Sequence, residues 1–175
     1  MAHYLLENKM GGKAVYETAL TVKETEEAYI FSFEAKHSSA YCPYAKDNDK
    51  LWLGDVCEVF IGDERDPGYY YEVEIAPNGA AFFGWVHNPD GNFSVTFPSF
   101  DGFSYCAEQK GEDYAVQITL SKEIIGWPLE SILFNAFRIE TDGGIPEKHL
   151  FALNPTLCNT FHRTEGFVHL KDYTE

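Results

Sequence analysis

The sequence predicts an all-β fold, a single-domain antiparallel β-sandwich of jelly-roll type, from three observations. Apolar and polar residues alternate over short runs, turn clusters of Gly, Pro, Asn and Asp separate those runs at short intervals, and almost no stretch has helical periodicity. The composition agrees: eleven Tyr, fourteen Phe and three Trp stand among 175 residues, and aromatic side chains suit a pleated, half-buried surface. With 45% hydrophobic residues and no linker-like run, residues 1–175 read as one domain around one core.

Taken in order, residues 14–22 read as a short strand. Residues 28–35, AYIFSFEA, are clearer, because Tyr29, Phe31 and Phe33 alternate with Ile30, Ser32 and Glu34. Residues 37–49 shift to Ser, Pro, Asn and Asp and form a loop leading to Trp52. Residues 50–77, KLWLGDVCEVFIGDERDPGYYYEVEIAP, hold two strands and a turn and form the centre of the chain. In the first strand Cys57, Val59 and Ile61 alternate with Val56, Glu58 and Phe60. In the second, Tyr71, Val73 and Ile75 share one face while Glu72 and Glu74 point the other way. Asn78 and Gly79 tolerate positive φ and predict a tight turn into a strand over 80–86.

Residues 93–97 and 103–109 read as strands flanking a turn at 98–102. Over 114–120, Tyr114, Val116, Ile118 and Leu120 form one face. Ser121 then opens SKEIIGW, where Ser as N-cap and a Gly stop predict one helical turn, and the chain holds at most one or two of these. Over 131–140, Leu133, Phe137 and Ile139 lie on one side, while Phe134, Ala136, Arg138 and Glu140 lie on the other. Residues 150–153 and 166–170 supply the last strands. The apolar faces of such a sandwich pack between sheets about 10 Å apart, which leaves the opposite faces and the end loops to carry function.

The formal charge of −15 argues against nucleic acid or an anionic membrane surface as partner and leaves neutral ligands and cations. Cys42, Cys57, Cys106 and Cys158 form no C-x-x-C pair, so neither a zinc ribbon nor a redox motif is present. The N-terminus has no basic region followed by an apolar stretch, and no eighteen-residue apolar run occurs. The chain as written reads as cytoplasmic, or as secreted if a leader has been trimmed. Neither a nucleophile elbow, a phosphate loop, a dinucleotide fingerprint nor an H-E-x-x-H pair is found.

Trp52 stands near the mouth of the central hairpin, six residues before Glu58, so that an aromatic plate and a carboxylate meet the same small polar molecule. Trp52 with GDVCEVFIGD, then YYYEVEIAPNGA, resembles the carbohydrate-binding module family 9 and its close relatives. In that group a Trp, a D-x-x-E-x-F strand and a tyrosine-rich E-x-x-P-N-G strand recur. NAFRIE (135–140), FALNPT (151–156) and NTFHRTEGFVHL (159–170) are similar to the closing segments of its stand-alone members, and the likeness runs from about Tyr29 to the end.

The resemblance implies a non-catalytic β-sandwich that binds a mono- or oligosaccharide or a glycan chain end, accessory to polysaccharide breakdown or sugar capture. It implies Trp52 as one stacking plate, Glu58 as a hydrogen-bond acceptor and Arg138 as a donor. Where the characterised modules place a second tryptophan this chain has FALNPT, so Phe151, Phe161, His162 and Trp85 are the candidates for the opposing wall. Trp52 equally suits a plug at the end of the sandwich, and Glu58 with Arg138 an ion pair tying two strands together.

Two acidic turns, Asp47-Asn48-Asp49 and Asp63, Glu64 and Asp66, gather oxygen ligands without EF-hand spacing. Structural calcium of the kind carried by family relatives is the only cofactor they suggest. Two other functions stay open. Glu58, Glu72 and Glu74 face one side of the hairpin, as the paired carboxylates of a glycoside hydrolase do. Haem ligation would have only Met1 and Met10, both near the N-terminus, to supply a methionine ligand.

Overall fold

The computed structural model describes residues Met1–Glu175. In chain order the strands are β1 (His3–Tyr4), β2 (Leu6–Glu7), β3 (Thr18–Glu24), β4 (Ala28–Ala35), β5 (Val56–Asp63), β6 (Tyr69–Ile75) and β7 (Ala81–His87). They continue as β8 (Ser94–Thr96), β9 (Phe103–Lys110), β10 (Asp113–Ser121), β11 (Ile132–Glu140), β12 (His149–Ala152) and β13 (Val168–His169). One sheet has the order β1-β3-β4-β10-β9, and the other β2-β12-β11-β5-β6-β7-β8 with β13 also on β11. The named strand pairs are antiparallel.

The two-residue period places the core. Phe31 and Phe33 of β4 lie opposite Val22 and Leu20 on β3 and opposite Ile118 and Val116 on β10, and all six are buried. They meet Val59, Ile61, Val73 and Phe134 from the larger sheet in one apolar cluster. Cys57 belongs to that cluster as a free thiol, with Sγ 3.2 Å from the Tyr114 hydroxyl.

All eight residues of β5 are buried, because the larger sheet is covered on both faces. On its outer face Leu51, Phe60, Tyr70, Phe82, Phe137 and Phe161 belong to a second cluster, formed by the sheet and the loops laid over it. The alternation of β5 therefore separates two interiors instead of an interior from solvent.

Helical structure is confined to single turns. Ser121 Oγ accepts from Glu123 N, and Gly126 ends the α-turn Lys122–Ile125 at φ 65° with its N–H on Lys122 O. Four further turns are 3₁₀, among them Leu51–Leu53. At the predicted Asn78-Gly79 turn, Gly79 has φ 86° and donates to Ala76 O. No helix is long and apolar enough to cross a membrane.

Buried charge fixes the loop that leads to Trp52. Arg138 is fully buried and donates to Glu140 Oε2 (2.9 Å), Thr18 Oγ1 (3.0 Å) and the carbonyls of Lys36 (2.9 Å) and His37 (3.0 Å). Asp55, also fully buried, accepts from Ser39 Oγ, Tyr41 N, Thr141 N and Thr141 Oγ1 at 2.6–2.9 Å. These bonds hold His37 and Ala40 at left-handed φ of 54° and 50°, where a side chain costs energy unless its surroundings impose the conformation. Gly54 closes the loop against Tyr41, where a Cβ would stand 2.4 Å from the Tyr41 carbonyl oxygen.

Candidate functional site

A cavity of about 600 Å³ opens on the outer face of the larger sheet. Its floor comes from the central hairpin. Glu58 on β5 lies opposite Glu74 on β6, and Glu72 follows two residues away on the same face. One oxygen from each of the three carboxylates lies within 4.8 Å of the others. Glu58 and Glu72 line the cavity, while Glu74 sits beneath it, 0% exposed.

Neither Glu74 oxygen finds a hydrogen-bond donor, and Glu58 Oε1 finds none. Burial, then neighbouring carboxylates, push the Glu58 and Glu74 carboxyls well above the ordinary range. Burial pushes Glu72 up to about 8. Carboxyls held this high retain protons at neutral pH, with Glu74 in hydrogen-bond reach of Glu72, and the site offers them to a ligand with hydroxyl, ammonium or metal-ion character, the last by displacing protons.

The walls are aromatic. Trp52, on the Leu51–Leu53 turn, is 38% exposed and meets the Phe82 ring edge-on, with centroids 5.8 Å apart and planes at 89°. Lys148 is half-buried at the rim and donates to the Trp52 carbonyl, fixing the turn that carries the indole. Phe93 and Val95 supply another wall. The Phe93 ring stacks on His162, with centroids 3.9 Å apart. Gly84 lets β8 lie close, since a Cβ there would stand 2.7 Å from Val95 Cγ1.

His162 is oriented by a relay. Asn88 Nδ2 donates to the Tyr70 hydroxyl (3.3 Å), which is 2.6 Å from His162 Nδ1. With Tyr70 donating to Nδ1, the proton of the imidazole falls on Nε2, which faces Glu72 Oε1 at 3.8 Å. Burial lowers the His162 pKa to about 4, so the ring is neutral at physiological pH.

Of the residues singled out in the sequence, Trp52, Glu58, Phe161 and His162 line this one cavity. Arg138, Phe151 and Trp85 lie elsewhere. Arg138 pairs with Glu140, not Glu58, and the ion pair expected across two strands is a pair within β11. Phe151 is 0% exposed and belongs to the inter-sheet core, where its ring lies 5.6 Å from the Arg138 guanidinium carbon. Trp85 packs on Tyr71 and Trp127 at 4.5 and 6.2 Å, on the opposite face of the sheet from Glu72, its neighbour in register being Tyr71.

The acidic turns use acceptors on nearby protein donors. Asp47 and Asn48 accept from Ala81 N and Phe83 N, and Asp63 is ion-paired with Arg65. Both methionines are exposed, Met1 by 77% and Met10 by 86%. Phe93 and Lys148 were not anticipated. The signal for Phe93 was present, since Phe93, Val95 and Phe97 alternate along one face of β8 and its flanks. Lys148 lies in a loop without periodicity.

No protein-family model matches the chain. Among solved structures it resembles a candidate carbohydrate-binding protein from Bacteroides uniformis, with a TM-score of 0.76 at 14% identity, over 95% of this chain and 84% of that one. It also resembles a carbohydrate-binding module of family 9 from Caldicellulosiruptor kristjanssonii in complex with glucose, with a TM-score of 0.58 at 9% identity, over 95% and 82% of the two chains. A family 9 module from the same organism in complex with cellotriose gives 0.54 at 10% identity, over 86% and 71%. At these identities the likeness is one of fold. A sequence relative stands nearer, a protein of Arthroderma benhamiae called "Extracellular protein", 32% identical over 169 residues, covering 86% of this chain and 76% of the relative. The chain belongs to the family of that Arthroderma benhamiae extracellular protein.

Proposed function

We propose that this chain is a saccharide-binding module akin to family 9. It holds a mono- or oligosaccharide or a glycan chain end in the outer cavity without a covalent step, as an accessory to polysaccharide breakdown or sugar capture. The observation that carries the reading is the meeting of Trp52, Glu58 and His162 around a cavity of about 600 Å³, within the range of about 300–1,000 Å³ for small-molecule sites. The saccharide complexes of the two Caldicellulosiruptor kristjanssonii modules support the ligand class.

In this reading the weakly positive C–H face of the sugar stacks on Trp52. Hydroxyls donate to Glu58 and Glu72, in bonds strengthened wherever the carboxylate is ionised. The Nε2–H of His162 and the ammonium of Lys148 serve ring and hydroxyl oxygens, and Phe93 closes the wall beside His162. Arg138 and Phe151 take no part except through the loop that Arg138 anchors. The name of the Arthroderma benhamiae relative supports a setting outside the cell. Hydrolysis has less support, because Glu58, Glu72 and Glu74 face one another at and beneath the floor instead of flanking a bond above it.

Titration calorimetry against glucose, cellotriose, xylotriose and their monosaccharide relatives tests this. At least one sugar binds, and Trp52→Ala weakens it by about 10–30-fold, equivalent to ~1.4–2 kcal/mol for a stacking residue. The absence of binding by every sugar, or equal binding by Trp52→Ala, overturns the reading.

A further inference from the structure

The floor of the cavity gathers more carboxyl groups than a neutral sugar explains. β5 and β6 pair so that Glu58 stands opposite Glu74, with Glu72 beside them, and the three carboxylates bring oxygens within 4.8 Å of one another. The charge of Lys148 acts on Glu58 and Glu74 from the rim, but its ammonium donates to the Trp52 carbonyl and forms no ion pair with them. Two residues carry an independent sign of a missing partner. Glu74, 0% exposed, has both oxygens without a donor, and Glu58, 2% exposed, has Oε1 without one. Buried acceptors in a folded protein are almost always met by a donor, a water or an ion.

We propose that Glu58, Glu72 and Glu74 form a binding site for one divalent cation, of the calcium or manganese class, set into the floor of the cavity. Position selects this occupant over an organic ammonium group. Glu74 has no surface in the cavity, so a ligand lying in the cavity reaches Glu58 and Glu72 but not all three, whereas a single bare ion among the carboxylates touches each. The donor set selects the class of metal: three carboxylates with no thiolate favour hard cations that take oxygen ligands. The ion's remaining coordination positions face the cavity, where water or ligand oxygens complete the shell. The site lies apart from both acidic turns, where Asp47 and Asp63 serve the protein's own donors.

The inference does not rest on saccharide binding, and its test contains no sugar. The full-length chain, stripped with a chelator, is titrated by calorimetry with CaCl₂, MnCl₂ and MgCl₂ separately, and its melting temperature is followed in parallel. The expected result is one ion per chain, saturating below about 1 mM for calcium or manganese, with a rise in melting temperature. Glu74→Gln and Glu58→Gln keep side-chain size, and each weakens the ion by more than about tenfold while circular dichroism confirms the fold. No heat and no melting shift with any of the three salts up to about 10 mM overturns the proposal, as does unchanged affinity in both variants.

Discussion

Two groups of buried acids stand on the larger sheet, and they are treated in opposite ways. At one end Glu140 and Asp55 are each 0% exposed, and every carboxylate oxygen is met. Glu140 Oε1 accepts from Ser39 N and Asp142 N, and Oε2 from Arg138, while Asp55 Oδ2 accepts from Ser39 Oγ and Tyr41 N and Oδ1 from Thr141. At the centre Glu58 and Glu74 are equally buried, yet three of their four oxygens have no partner. Buried charge that is met by donors fixes a loop in place. Buried carboxyls left unmet mark where something from outside belongs.

The largest expected effect comes from breaking the satisfied group. Arg138→Met keeps the length of the side chain but leaves Glu140 Oε2 and the carbonyls of Lys36 and His37 without their donor. Removing one partner of a buried ion pair costs about 3–5 kcal/mol, measured here by urea denaturation. A loss below about 1 kcal/mol would mean that the end network is ornament and that the contrast with the central acids is empty.

The sequence contained much of this contrast, through register more than through motif. The period of two assigned β4, β10 and the hairpin faces, and it placed Glu58, Glu72 and Glu74 on one side. It also held the fact that removes Arg138 from the site. Arg138 shares its face of β11 with Phe134 and Ala136, and the residue of β11 opposite Glu58 is Phe137, on the other face. Matching to the family pattern gave Arg138 a ligand role that its own alternation contradicts.

Other features had no local signal. The second cluster on the outer face is hidden because Phe60, Tyr70 and Phe82 alternate as a single half-exposed sheet would, and only the run VCEVFI, apolar but for Glu58, hints at burial on both sides. β1 and β2 have two residues each, too few for any period to be visible. The resemblance points to Phe151, Phe161, His162 and Trp85 for the opposing wall. Phe161 and His162 line the cavity, but Phe93, which stacks on His162, comes from the far edge of the sheet.

A milder change sharpens the comparison. Asp55→Asn swaps one acceptor oxygen for an NH₂ group. One oxygen faces the Tyr41 N–H and the other faces the Thr141 N–H, so in either orientation the amide meets a backbone donor that cannot turn into an acceptor. The loss of a hydrogen bond to a charged group, with a donor left unmet, costs about 2 kcal/mol. It is read as a lower urea midpoint with an unchanged slope. An Asp55→Asn protein as stable as wild type would show that the loop over residues 38–41 is held by packing alone.

The same chemical change at the centre carries the opposite sign and the smallest magnitude. Glu74→Gln replaces a carboxyl that burial and its neighbours hold well above the ordinary range, and it brings N–H groups to a place where Glu58 Oε1 has no donor. In chelator-containing buffer the variant is more stable than wild type by about 1 kcal/mol, because the amide supplies the donor that Glu58 Oε1 lacks and removes a carboxyl whose ionisation its neighbours oppose. With saturating calcium the order reverses, since wild type gains the free energy of ion binding and the variant gains little. Urea curves of both proteins in the two buffers give four midpoints. A variant less stable than wild type in chelator would place Glu74 with Asp55 among the structural acids, and the distinction between the two groups would fail at its central residue.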